Sequence, residues 1–270
     1  MNNFTAKKSL GQHFLHAPNV VGAMIHAARI EPGMIVLEIG PGKGILTHGL
    51  LKAGAKVIAV EKDERAIEYM KEGFVKEISL GKLKLVQDDI LTINPSDLGL
   101  EKGNYVIVAN IPYYITGEIL RKFLTAQDHP SRMVLLAQKE VAKRIVAADG
   151  KESILSISVK AYGEPKYIDT VPKRFFRPIP KVDSAIILID NISKKFFENE
   201  QINEKLFFDI VRTGFAHKRK VVRGNLAKII PTQTLQKLWK EKNWPSDARA
   251  ETLTLEQWKD ITEEIGINPH

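Results

Sequence analysis

Apolar residues in the first two-thirds of the chain fall into short runs, and each run stops at a polar or glycine position. Met34–Ile39, Lys56–Val60, Leu83–Val86, Tyr105–Ala109 and Arg132–Ala137 form the series. Runs of this length bounded by turn residues predict strands buried in a parallel sheet. Between them the period lengthens. Pro18-Asn19 opens a stretch with Val20, Val21, Met24, Ile25 and Ala28 at helical spacing, which Glu31-Pro32-Gly33 stops. Helices are also predicted over 63–74 and 117–125. Three further strands, Ile154–Tyr162, Tyr167–Val171 and Ala185–Ile189, complete an α/β fold built on an open parallel sheet.

After Ile189 the texture changes. Asp190–Lys195 reads as a linker, and from Asn203 onward the chain reads as helices, without β-branched runs. The predicted division is 1–190 and 191–270. Within 206–226, Phe208, Val211, Phe215, Val222 and Leu226 project onto one helical face, with Arg212, Arg219, Lys220 and Arg223 in the sector beside it. Gly214 and Gly224 are points where that helix would break. Acidic residues are absent from Val211 to Ile230, so the basic stripe suits phosphate contacts.

Composition narrows the classes. A chain of 270 residues with 44% apolar residues can bury a large core or a large and a small one. A formal charge of +8 favours a polyanionic partner, and the absence of cysteine excludes disulfides, thiolate metal sites and cysteine nucleophiles. The seven histidines have no metal-ligand spacing, so no metal is predicted. No apolar run approaches the roughly 20 residues of a membrane span, and Met1–Leu10 lacks a signal-peptide core. A cytoplasmic protein with no membrane partner is expected. The amino-terminal arm carries Phe14 and Leu15, which are costly to leave in water, so it is expected to fold back over the rest.

The chemistry gathers at the strand ends. The first run leads straight into Gly40, Gly42 and Gly44, a strand, a tight turn and a helix, where glycine lets backbone approach a ligand. Counted from Gly40, the third glycine of the dinucleotide fingerprint would fall at Ile45, so that pattern fails. Glu61 ends the next strand about twenty residues on, where a carboxylate can take both hydroxyls of a ribose. Glu38-x-Gly40-x-Gly42-x-Gly44 with Glu61 resembles the first two motifs of the S-adenosylmethionine-dependent methyltransferases. Gly40, Glu61, Asp89 and Asn110 each close a successive strand, at the edge where open α/β sheets bind ligands.

Asn110-Ile111-Pro112-Tyr113 is the sharpest signal. An exocyclic adenine amine is a poor nucleophile because its lone pair is delocalised into the ring. Methyl transfer to it needs acceptors for both amine hydrogens while the lone pair turns to the methyl donor. The Asn110 side chain and the Ile111 carbonyl suit that task, with Pro112 fixing the turn and Tyr113 stacking on the base. In the proline-stiffened loop Val171–Ser184, Phe175 or Phe176 would close the other face of an unstacked base, with Arg174, Arg177 and Lys181 near phosphates.

Gly11–Leu15, Glu38–Gly44, Asn110–Thr116, Phe176–Ser184 and Arg212–Leu226 together resemble the ribosomal RNA adenine dimethyltransferases, the KsgA group, from Lys7 to Ala250–Leu253. The resemblance implies a Rossmann-like S-adenosylmethionine-dependent methyltransferase sheet with a small carboxy-terminal all-helical, RNA-binding domain. It implies dimethylation of two adjacent adenosines near the 3′ end of small-subunit (16S) rRNA, on a pre-ribosomal 30S particle, by a monomer. Carried over, His13 and Leu15 contact S-adenosylmethionine, Gly40 and Gly42 lie under it, Glu61 holds its ribose and Asp89 meets its adenine. Asp89 is preferred to Asp88 because Asp89–Thr92 fits the pattern, and Phe176 rather than Phe175 matches the stacking phenylalanine. Ile111 stands where many members have leucine, and Lys151–Ile154 lacks a tyrosine-glycine pair often found there. The rival readings are a large-subunit adenine methyltransferase of the macrolide-resistance type, an assembly factor whose binding outweighs catalysis, and, more distantly, a nicotinamide oxidoreductase.

Overall fold

The strand and helix runs take shape in a computed structural model that describes residues 4–7, 11–199 and 201–267. Lys8–Leu10 of the predicted arm lie outside the described residues. In chain order the elements are β1 (Phe14–Leu15), α1 (Pro18–Ala28), β2 (Ile35–Ile39), α2 (Ile45–Lys52), β3 (Lys56–Glu61), α3 (Glu64–Gly73), α4 (Val75–Ser79), β4 (Leu83–Gln87), β5 (Tyr105–Asn110), α5 (Thr116–Thr125), β6 (Arg132–Gln138), α6 (Lys139–Val146), α7 (Ile154–Lys160), β7 (Glu164–Val171), β8 (Phe176–Arg177), β9 (Ser184–Asp190), α8 (Lys195–Glu198), α9 (Glu204–Gly214), α10 (Val222–Leu226), α11 (Thr232–Glu241) and α12 (Leu255–Ile267). The chain up to Ala142 and Glu164–Ile192 make one compact unit; Lys143–Gly163 and the chain from Ser193 make another.

The first unit holds a seven-stranded sheet ordered β4-β3-β2-β5-β6-β9-β7. From β4 to β6 the strands are parallel, and the apolar runs of β5 and β6 are buried, completely so at Ile107, Val108 and Ala109, while Leu85 and Val86 on the edge strand β4 are half-buried. β9 departs from the expected parallel arrangement by running antiparallel to both β6 and β7. No helix crosses over between β7 and β9, and without a crossover two neighbouring strands can pair only antiparallel.

Asp190 is not linker. It is the last residue of β9, where Arg132 (2.8 Å) and Arg29 (2.8 Å) hold its carboxylate. Burial opposes that charge, but the two guanidinium groups outweigh it and keep the carboxyl below its ordinary range. The arm does fold back: β1 pairs antiparallel with β8, Leu15 opposite Phe176, and both side chains join the sheet core.

In the second unit residues 154–160 form a helix, not the expected strand. Their β-branched side chains favour a strand locally. Ser153 and Ser156 instead cap each other at the helix start, and Ile157 and Val159 are buried there. Phe207, Ile210, Val211 and Gly214 form the buried face of α9, so Phe208 is only half-buried, contrary to the predicted projection. The helix ends at Gly214, where a Cβ would lie 2.3 Å from the fully buried ring of Trp258. Residues 215–221 form a non-helical loop, so the predicted stripe over 206–226 does not lie on one helix.

Candidate active site

From β2 the chain steps through β3 and β4 to one side, and through β5 and β6 to the other. A reversal of this kind opens a crevice beyond the carboxyl ends of the two central strands. A cleft of about 270 Å³ lies there, lined by Gly11–Leu15, Glu38, the Gly40–Lys43 turn, Glu61, Lys62, Asp88, Asp89, Asn110–Ile115 and Glu118. His13, Leu15, Gly40, Gly42, Glu61, Asp89, Asn110, Ile111, Pro112 and Tyr113 are thus brought together from five chain segments.

Gly40 has φ +67°, and the nearest atom to a Cβ built on it is the Asn110 carbonyl oxygen at 4.0 Å. A side chain here would project into open cleft. Beside it, Glu61 accepts from the N–H of Gly42 (3.3 Å) and of Asp63 (2.9 Å). Burial pushes the Glu61 carboxyl up, and those N–H groups offset part of the rise.

Asp89 ends the wall formed after β4. It pairs with Lys62 at 2.8 Å and accepts from the Leu91 N–H at 3.0 Å, and the lysine contact holds it below the usual carboxylate range. Asp88 also lines the cleft, but one of its oxygens is turned back onto the Asp89 N–H at 2.6 Å.

The arm and β5 fix one another. The Asn110 amide nitrogen donates to the His13 carbonyl at 3.1 Å. A carbonyl cannot donate, so this contact sets the amide's orientation and leaves Oδ1 as its acceptor. The His13 Nδ1 meets the Pro178 carbonyl at 2.7 Å, and its ring stacks on Tyr113 with centroids 5.9 Å apart. Tyr113 in turn shares a 2.7 Å hydrogen bond with Ser184, and burial raises its phenol. The arm is held further by Gln12, which donates to Asp63 at 3.0 Å, and by Phe4 against Phe14. Arg65 holds Asp63 down to about 2.

Other expected site residues lie elsewhere. Phe176 is completely buried and does not line the cleft, because its side chain packs into the sheet core together with that of Leu15, its partner in the β1–β8 ladder. It presents no face to a base in this conformation. Phe175 is half-buried beneath the Arg174 guanidinium, 5.1 Å from its ring. Arg177 and Lys181 are exposed, as are Arg219 and Lys220 in the second unit. Arg212 is exposed but paired with Asp209 at 2.6 Å. Arg223 is not on an open stripe: it donates to the Ser246 carbonyl at 2.8 Å and lies over Trp239.

The sequence marks Glu38 only as the first member of the glycine motif. It lines the cleft almost fully buried, and neither of its carboxylate oxygens makes a hydrogen bond of ordinary geometry, although Thr47 lies close enough to favour the charged form. Burial pushes it up to about 8; Thr47 offsets part of that, and Glu61 adds to it. The sequence signal was an acid inside an otherwise apolar run, which strand burial makes costly. Tyr114 and Lys62 line the cleft as well, each next in sequence to a residue with a predicted role, Tyr113 and Glu61.

Residues 3–266 match the family described as ribosomal RNA adenine dimethylase. The chain is 39% identical over 266 residues to the ribosomal RNA small subunit methyltransferase A of Dehalococcoides mccartyi, covering 98% of this chain and 90% of that protein. It is similar to the dimethyladenosine transferase of Plasmodium falciparum, with 26% identity, a TM-score of 0.80, and coverage of 94% of this chain and 98% of that one. The 23S rRNA methyltransferase ErmE shares the fold at 24% identity and a TM-score of 0.76, covering 94% of this chain and 99% of that one. Sequence match and fold agree along nearly the whole length, and the chain belongs to the ribosomal RNA adenine dimethylase family.

Proposed function

We propose that this protein transfers methyl groups from S-adenosylmethionine to the exocyclic amines of two adjacent adenosines near the 3′ end of small-subunit rRNA, two methyls to each. The observation that carries the reading is Asn110, whose amide is oriented by the His13 carbonyl so that Oδ1 serves as acceptor at the floor of the cleft. The turn after it is closed by the Ile115 N–H on the Pro112 carbonyl at 3.2 Å, so the Ile111 carbonyl takes no part in that bond. Asn110 and Ile111 then hold the amine hydrogens, and Tyr113, braced by Ser184 and His13, supports the base.

The donor-side residues fit S-adenosylmethionine. Gly40 leaves open the space that a Cβ would fill, Glu61 offers a carboxylate to ribose hydroxyls, and the unpartnered oxygens of Glu38 suit a cationic group. Asp89 stands at the adenine end, with His13, Leu15 and Gly42 along the walls. When bound, S-adenosylmethionine supplies an electrophilic methyl. The amine proton turns acidic once nitrogen carries that methyl and passes to water, so no side chain has to act as a strong base. Positioning and fixed dipoles carry the rate.

In this reading the helical part from residue 191 onward binds RNA, with Arg219 and Lys220 as exposed phosphate contacts, and Arg177 and Lys181 contribute from the first unit. The substrate is an immature small-subunit particle, met in the cytoplasm by a single copy of the chain. No helix among the described residues is long and apolar enough to cross a membrane. The test is incubation with undermethylated small subunits, undermethylated large subunits and labelled S-adenosylmethionine, followed by mapping of the modified nucleotides. Label on two neighbouring adenosines of the small-subunit RNA is expected; label confined to large-subunit RNA would refute the proposal.

A further inference from the structure

Tyr114 is 65% exposed, and among the described residues no other aromatic side chain is as open to solvent. Its place is not that of a loose surface residue. It lines the cleft, on the short 3₁₀ turn Tyr113–Ile115 that follows Asn110. Two carbons of its ring lie 3.1 and 3.2 Å from the point where a Cβ on Gly11 would stand. The ring therefore rests against the arm's glycine, which has φ +59°, and a larger residue there would push it away. One side is backed and the other is open.

Its neighbour is oriented otherwise. Tyr113 is half-buried, with its hydroxyl on Ser184 and its ring on His13. One tyrosine thus serves the interior of the cleft, and the next serves its mouth. An RNA strand that sends one base into the cleft leaves the adjoining base outside it without a stacking partner. Unstacked bases in single-stranded RNA are commonly received by exposed aromatic rings.

We propose that Tyr114 is a second stacking site, which receives the purine base next to the one being methylated. This rests on the reading given under Proposed function. Consecutive residues in a tight turn are 3.8 Å apart at Cα, so two adjacent rings can serve two adjacent nucleotides. Because an RNA strand crosses the cleft with one polarity, Tyr114 meets the neighbour on one side only, and for one of the two adenosines that neighbour is the other adenosine. The ring is thereby a specificity element for paired purines.

The test compares wild type, Tyr114→Ala and Tyr114→Phe on undermethylated small subunits, and on subunits in which the base beside one target is changed to a pyrimidine. Removing an aromatic platform for one base is expected to lower kcat/KM by about tenfold to a hundredfold, chiefly through KM for the particle. Tyr114→Phe should recover most of that loss, because the ring rather than the hydroxyl carries the stacking. On the pyrimidine substrate the alanine variant should lose little more, because the same contact is already weakened. Fully additive losses, a wild-type kcat/KM for Tyr114→Ala, or a phenylalanine variant as poor as alanine would each overturn the proposal. If wild type itself leaves small-subunit RNA unmethylated, the functional reading falls and takes this site with it.

Discussion

Replacing Glu38 by glutamine tests whether a neutral carboxyl lies under the cleft. In the folded chain burial lifts this group from 4.5 to about 8. Between those values the unfolded chain has released the proton while the folded chain still holds it, so the folded state binds more protons and stability falls as pH rises. The slope is about 1.4 kcal/mol per pH unit, and over the whole interval the loss approaches about 5 kcal/mol. Glutamine has nearly the same shape and no charge, so the variant lacks this dependence. Urea unfolding of both proteins without cofactor, at pH 5 and at pH 9, is the assay. Near pH 5 the two should be of similar stability; at pH 9 the variant should be more stable by several kcal/mol. Parallel stability curves across that range would refute the burial argument. Calorimetry adds a functional arm: wild-type affinity for S-adenosylmethionine should rise with pH up to about 8, and the variant should bind more weakly, without that pH dependence.

Glu61→Ala removes the acceptor of the Gly42 and Asp63 N–H groups, and an affinity loss for S-adenosylmethionine of at least about tenfold is expected by calorimetry. Arg219→Ala with Lys220→Ala should flatten the salt dependence of RNA binding by a slope of about 1.5 while leaving cofactor affinity unchanged. Arg223→Ala should act differently, lowering the melting temperature because it removes the contacts to Ser246 and Trp239. Gly214→Ala places a methyl 2.3 Å from the Trp258 ring, and an overpacking cost of about 1–3 kcal/mol should appear in thermal or urea unfolding.

The strand ends of the cleft were legible because each is written in contiguous residues. An apolar run followed by Gly40, Glu61, Asp89 or Asn110 states both the strand and the edge at which it stops. Residues whose environment depends on distant segments were less so. Phe176 reads as a loop aromatic available to a base, yet its side chain packs in the sheet core beside Leu15. Arg223 reads as one more cation in a stripe, yet Trp239 and Ser246 receive it. Ile154–Lys160 carries strand-forming side chains, and the reciprocal Ser153–Ser156 cap and the packing of Ile157 and Val159 prevail over that preference. Glu38 was visible as an acid in the wrong company. That no well-formed hydrogen bond would reach it is a property of three dimensions.

The short β1–β8 ladder also bears on how the protein is made. His13 finds its acceptor at Pro178, 165 residues further along. A chain emerging from the ribosome therefore carries one wall of its cleft from the outset but cannot fasten it until most of the sheet has been synthesised. The closing of this side of the cleft arrives late, as a by-product of nearly complete synthesis.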